Sequence, residues 1–139
     1  NSSVGDFIAQ HLIKGERTIW NGTKLSPSAD AYKGKVIVLE GPVTASAAES
    51  FLITMKESGD AIVVGTPSAG DTGGNPRLFK TTYGMYYWIP IGHPFKYSPK
   101  GFPLEGKGIK PHYLVPMKVN DFLLGKDTQL SYAEELIRK

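Results

Sequence analysis

Apolar residues at Val4, Phe7, Ile8 and Leu12 recur at i, i+3, i+4 and i+8, the spacing of one face of an amphipathic helix. A helix is therefore expected over Val4 to Ile13, stopped by Gly15. Alternation around Ile19 and Trp20 reads as a strand over Arg17 to Thr23 with Asn21-Gly22 as its turn signal, and Ser26 to Gly34 reads as a loop. Val36-Ile37-Val38-Leu39 is a continuous apolar run, the mark of a strand buried on both faces, and Gly41-Pro42 breaks it. Helical spacing returns at Ala48, Phe51, Leu52 and Met55, so Ala47 to Glu57 is expected to be a helix that Gly59 stops. Ala61-Ile62-Val63-Val64 reads as a second buried strand. Strand, helix and strand over about thirty residues make a βαβ unit, which predicts a parallel sheet.

After Gly65 the pattern changes. Gly65 to Gly74 is a loop with four glycines. Leu78 to Thr82 and Met85 to Ile91 read as a hairpin turning at Tyr83-Gly84. Tyr83, Tyr86, Tyr87 and Trp88 alternate along it, which predicts one core face and one exposed face. Gly92 to Pro111 is a long loop of the kind that is functional or wrapped on the surface. Leu130, Ala133, Leu136 and Ile137 give a last helix over Gln129 to Arg138, with Asp127 or Thr128 as its N-cap. The whole reads as one α/β domain, residues 1–139.

Composition narrows the function classes. The chain has 139 residues, 40% of them hydrophobic and 21% charged, which excludes disorder, collagen-like repeats and a coiled coil. It has no cysteine, so structural disulfides and thiolate metal sites are excluded. The net charge of +3 is mild and the basic residues are scattered, so no nucleic-acid partner is expected. No apolar run approaches the roughly 20 residues of a membrane-spanning helix. The chain starts at Asn1 without an initiator Met, which reads as a fragment or a processed product.

Ser46 sits where the first buried strand turns into the helix. A hydroxyl there meets free backbone N–H groups and the helix dipole, which stabilise negative charge. Ala45, Ala47 and Ala48 leave room for a substrate carbonyl. Ser46-x-x-Glu49 is also a capping box, and spacing alone favours that reading. The Gly-x-Ser-x-Gly elbow of α/β-hydrolases is lacking. His11, His93 and His112 have no motif around them, and no pair of them has metal-ligand spacing, so no metal and no cofactor is expected. Gly65 to Gly74 has neither the Gly-Lys-Ser/Thr ending nor the following helix of a phosphate loop, and reads instead as a substrate-side loop or a surface turn. Glu105, between glycines, reads by itself as a solvated loop charge.

Four segments taken in order resemble the tail-specific, C-terminal-processing serine peptidase family, in the branch of the tricorn core and the retinoid-binding-protein modules. A buried strand runs into Ser46-Ala47-Ala48-Glu49, similar to the family's Ser-Ala-x-Glu helix start. Ala61 to Gly70 is similar to its strand and glycine loop. Glu105-Gly106-Lys107-Gly108-Ile109-Lys110-Pro111 resembles its Glu-Gly-x-Gly-Ile-x-Pro signature, and Gly125 to Leu130 resembles the Asp-x-Gln-Leu segment before its last helix. The match covers roughly residues 35 to 137.

The resemblance implies a crotonase-like or Clp-protease-like α/β core with an added β-hairpin, present as part of a catalytic domain. It implies Ser46 as nucleophile, the Ala47 N–H as an oxyanion donor, and Gly70, Asp71 and Thr72 on the substrate side. Asp71 stands where the processing branch has its lysine, so a Ser–Lys dyad is not expected. The tricorn-like branch uses Ser, His and Glu, and its glutamate matches Glu105, which would orient the histidine. The histidine and the second oxyanion N–H are then expected from an N-terminal part of the same protein, before Asn1. The implied activity is that of a serine endopeptidase working on polypeptides, outside the cytoplasm (periplasm, cell envelope or extracellular space), and compatible with a homo-oligomer. The competing readings are a non-catalytic lipid- or peptide-binding module on the same fold, and a structural domain in which Ser46 only caps its helix.

Overall fold

The computed structural model describes residues 4–74, 76–93 and 96–139. In chain order the elements are α1 (Val4–Gln10), β1 (Arg17–Thr18), β2 (Lys24–Leu25), β3 (Ile37–Glu40), α2 (Ala47–Ser58) and β4 (Ile62–Gly65). They continue with β5 (Pro76–Lys80), β6 (Tyr86–Pro90), β7 (Tyr113–Leu114), α3 (Val119–Leu123) and α4 (Thr128–Arg138). The expected βαβ unit is present: β3 and β4 pair in parallel from Ile37 opposite Ile62 to Glu40 opposite Gly65, with α2 as the crossover. Beside β4 lies β7, also parallel, so β4 is the central strand of a three-stranded sheet. The fold is α/β, as the apolar runs predict.

Local signals explain the boundaries. Gly59 takes a left-handed conformation (φ 76°) and its N–H closes on the Lys56 carbonyl, which ends α2. Asp127 starts α4, its side chain accepting from the N–H groups of Gln129 and Leu130 at 2.8 and 2.9 Å. At Asn21-Gly22 the chain reverses between β1 and β2, with Ile19 and Thr23 bonded across the turn.

The core has two parts that meet at Trp20 and Val38. One gathers Ala9, Ile13, Ile19, Leu25, Met55 and Ala61; the other gathers Leu52, Ile53, Val63, Leu104 and Ile109. The second part ties the long loop before β7 to the face of α2, which brings residue 105 close to the start of that helix.

Three expectations are corrected, and two short elements are added. Helix α1 ends at Gln10, and its apolar stripe of Val4, Phe7 and Ile8 is exposed; the buried residues are Asp6 and Ala9. Asp6 turns inward because Trp20 Nε1 donates to its Oδ1 at 3.1 Å, and Ala9 is small enough for α1 to lie close against α2. Strand β3 is not buried on both faces, since it is an edge of the sheet and Leu39 remains exposed; the fully buried valines are Val63 and Val64 of the central strand. The β5–β6 hairpin has no core face: its strands pair only with each other among the described residues, and all of β6 is exposed. Strand β7 and helix α3 carry no sequence signal strong enough to announce them, being two and five residues long.

Candidate active site

The turn from β3 into α2 bends sharply at Ser46. Its backbone has φ 55° and ψ −122°, and it is the one non-glycine residue with positive φ among the described residues. A side chain pays roughly 1–3 kcal/mol to be held there, so neighbouring contacts must fix it. They are identifiable. The Ser46 N–H donates both to Glu49 Oε2 at 3.1 Å and to the Asp71 carbonyl at 2.9 Å. The Ala69 N–H donates to the Thr44 carbonyl at 2.8 Å, which pins the glycine-rich loop along the turn.

Glu49 holds this arrangement together. Only 1% exposed, it takes the Ser68 hydroxyl at 2.6 Å and the Gly70 N–H at 2.7 Å on Oε1, while Oε2 takes the Ser46 N–H. Ser68 in turn accepts the Ile109 N–H at 2.7 Å, which extends the network to the loop that carries Glu105. This loop and the glycine-rich loop touch backbone to backbone. A Cβ on Gly70 (φ 72°) would lie 2.5 Å from the Gly108 nitrogen, and one on Gly108 (φ 68°) would lie 2.1 Å from the Ser68 carbonyl oxygen. Both positions therefore require glycine on conformation and on space.

The capping box that the Ser-x-x-Glu spacing predicts is formed, each side chain facing the other residue's backbone N–H. The Glu49 carboxylate takes the Ser46 N–H, but the Ser46 hydroxyl, though it lies on the Glu49 amide side, makes no cap hydrogen bond of its own. The Glu49 N–H is already satisfied by the Ser46 carbonyl at 2.9 Å. The hydroxyl is thus exposed and available, and the Ala47 N–H beside it donates to no described residue. An exposed oxygen next to an uncommitted N–H at a helix N-terminus can attack a carbonyl and stabilise the oxyanion that forms.

Ser46, Ala47, Thr72 and Gly74 line one cavity of about 220 Å³, with Trp20 and Ile53 as its apolar wall. Gly70 and Asp71 stand behind it: the Gly70 N–H is on Glu49 and the Asp71 carbonyl is on Ser46. Glu105 is not in the cavity wall. It is joined to it through Thr72, whose N–H donates to Glu105 Oε2 at 3.0 Å and whose hydroxyl donates to the same oxygen. Glu105 Oε1 accepts from no described residue. None of the residues lining the cavity is a histidine or lysine. His11 bonds the Phe7 carbonyl through Nδ1, and His112 accepts the Val63 N–H at 2.9 Å, so both serve local structure.

Sequence reasoning did not single out Ser68 or Trp20. Ser68 lay inside a glycine-rich stretch with no spacing signal, and Trp20 came from a segment distant in sequence. The role of Glu49 was readable in part, through the Ser-x-x-Glu spacing. Among the described residues no group of three or more His, Cys, Asp or Glu could hold a metal ion, and no helix is long and apolar enough to cross a membrane.

One titratable group lies just outside the site. Glu40, the last residue of β3, is 3% exposed, and neither carboxylate oxygen has a hydrogen-bond partner among the described residues. Burial above all pushes its pKa up to about 8; Lys56 pulls the other way and Glu49 adds to the rise.

Comparison with known proteins bears on the family and the fold. The model of peptidase family S41 matches residues 7–115. The tricorn protease of Thermoplasma acidophilum is 25% identical over 136 residues, covering 93% of this chain and 13% of that protein. Its crystal structure superimposes with a TM-score of 0.72 over 99% of this chain and 14% of that one. A crystal structure from Parabacteroides merdae, 23% identical, reaches 0.77 over 96% of this chain and 46% of that one. The photosystem II D1 C-terminal processing protease, 19% identical, shares the fold with a TM-score of 0.57, covering 81% of this chain and 30% of that one. The chain spans less than half the length of each of these proteins.

Proposed function

Because the chain belongs to peptidase family S41, we propose that it carries the nucleophilic half of a serine endopeptidase site. Ser46 Oγ attacks the scissile carbonyl and its proton passes to a histidine contributed from outside residues 1–139. The negative charge that develops on the carbonyl oxygen is met by the Ala47 N–H. Collapse of the intermediate expels the amine and leaves an acyl group on Ser46, which water then removes. Glu105 Oε1 orients the histidine, while Thr72 fixes the carboxylate through Oε2. Thr72 and Gly74 flank the bound polypeptide, and Gly70 and Asp71 hold the turn under it.

The observation that supports this reading best is the conformation of Ser46. A serine that only caps a helix sits in extended backbone and bonds the N2 or N3 amide. Ser46 forms the capping-box geometry with Glu49, yet it is not in extended backbone: a buried carboxylate holds it at φ 55°. Strain of this kind, held by a dedicated network, is more than a helix cap requires.

The test is Ser46→Ala in the full-length protein. Peptide hydrolysis and labelling by a fluorophosphonate should both vanish, and retained turnover would refute the assignment. Residues 1–139 by themselves are expected to hydrolyse no peptide, because loss of even one oxyanion donor costs about 10²–10³ in turnover.

A further inference from the structure

Trp20 reaches the Ser46 cavity from the turn between β1 and β2, where the Ile19 N–H bonds the Thr23 carbonyl across the reversal at 2.9 Å. Two kinds of contact fix its ring. Its Nε1 donates to Oδ1 of Asp6 at 3.1 Å, and Asp6 is a buried residue of α1. Its apolar surface packs against both parts of the core, including Ile53 of α2, which is itself in the cavity wall. A half-buried indole, held at one end by a hydrogen bond and along its body by packing, is a rigid wall.

What this wall faces follows from the chemistry at Ser46 and so rests on the peptidase reading. The histidine that takes the Ser46 proton returns it to the leaving amine, and it comes from outside residues 1–139. The amine half of a substrate therefore lies toward that histidine. The cavity is built from the start of α2, the glycine-rich loop and Trp20, with no histidine or lysine among its described residues. It receives the acyl half, whose carbonyl carbon is on Ser46 Oγ and whose side chain branches from the next carbon.

Size and polarity select the side chain. At about 30 Å³ for a water-sized group, a cavity of about 220 Å³ has room for roughly seven such groups. The scissile carbonyl and its Cα take about three and leave about four, enough for a leucine side chain but not for the benzyl group of phenylalanine. A charged side chain finds no counter-charge there. Glu49, the carboxylate among the described lining residues, already takes the Ser68 hydroxyl and the Gly70 N–H on Oε1 and the Ser46 N–H on Oε2. We propose that Trp20 sets the specificity of cleavage. With Ile53 it admits an aliphatic acyl-side residue up to the size of leucine and excludes aromatic ones, and Asp6 is the residue that positions its ring.

The experiment uses the full-length protein and peptidyl aminomethylcoumarins that differ only in the residue joined to the coumarin. The parent should hydrolyse the leucine substrate with kcat/KM at least about tenfold above the phenylalanine one, the lower end of what a misfit in an apolar pocket is worth. Trp20→Ala opens the wall and should reverse the order. Trp20→Phe, a milder truncation, should narrow the ratio at least about threefold. Asp6→Leu frees the ring and should narrow it likewise, whereas Asp6→Asn keeps an acceptor and should restore the parent ratio. Labelling by a compact fluorophosphonate, which carries no acyl-side residue, reports Ser46 itself and should persist in all four variants. A parent that neither labels nor hydrolyses overturns the reading of Ser46 and this proposal with it. A parent that does both, with a leucine-to-phenylalanine ratio that the Trp20 variants leave unchanged, overturns the role of Trp20 alone. Loss of labelling in Trp20→Phe would also overturn it, by making Trp20 a support of the fold, and an unchanged ratio in Asp6→Leu would overturn the role of Asp6.

Discussion

Ser46 donates its N–H to the carboxylate of Glu49 at 3.1 Å, three residues into the helix that Ser46 begins. The same carboxylate reaches the glycine-rich loop at Ser68 and Gly70. One buried anion therefore sets the nucleophile turn and the loop opposite it. Glu49→Ala should cost about 3 kcal/mol of stability, since it strands the Ser68 hydroxyl and the Gly70 N–H and leaves the Ser46 N–H only the Asp71 carbonyl, and hydrogen bonds to charged groups are worth roughly 1.5–3 kcal/mol each. Urea unfolding checks it, and a change below about 0.5 kcal/mol would deny Glu49 this role. Glu49→Gln keeps one acceptor oxygen and should lose less.

The strain at Ser46 predicts an unusual pair of variants. Ser46→Ala removes the hydroxyl but keeps a Cβ at φ 55°, whereas Ser46→Gly also relieves the backbone. The glycine variant is expected to be more stable than the alanine variant by about 1 kcal/mol, although glycine normally costs stability through its flexibility. Both should be catalytically dead. Denaturation midpoints of the two proteins decide it; an alanine variant as stable as the glycine one would mean that the turn stores no strain.

The central βαβ unit was legible because two apolar runs, the spacing of Ala48, Phe51, Leu52 and Met55, and the stop at Gly59 all agree. The start of the candidate site was legible for the same reason, with Ser46 between a strand and a helix and Glu49 at capping distance. Legibility failed where partners are remote in sequence. The stripe of Val4, Phe7 and Ile8 has helical period, yet Asp6 is the residue that turns inward, drawn by Trp20. Period alone does not say which face a helix buries when a polar side chain has a buried donor waiting. The tie between Thr72 and Glu105 spans 33 residues and two loops, and no local pattern encodes it.

That tie gives a prediction with a kinetic readout. Thr72→Val keeps the N–H bond to Glu105 Oε2 but removes the hydroxyl, so the carboxylate loses one of its two anchors. In the full-length enzyme kcat should fall about tenfold, the cost of roughly 1.4 kcal/mol in the transition state. Thr72→Ser should restore most of it. Glu105→Gln should be more severe and, because Glu105 is exposed, should leave the melting temperature nearly unchanged. If Thr72→Val and Thr72→Ser behave alike, the hydroxyl does not position Glu105.

Glu40 predicts the direction of pH dependence. In the native protein its carboxyl keeps the proton up to about 8, whereas in the unfolded chain it releases it near 4.5. Between these values the native state binds the extra proton, so stability must decline as pH rises. The stabilising contribution is complete below the unfolded value and is lost by the time the native pKa is passed. Glu40→Gln has no proton to lose, and its amide replaces a carboxyl that the fold keeps neutral. The variant should therefore match the parent near about pH 4 and exceed it increasingly toward about pH 9. Urea midpoints of both proteins across that range measure the difference directly. A gap that stays constant with pH would mean that Glu40 is ionised in the native protein, and that an unseen partner, not desolvation, sets its charge.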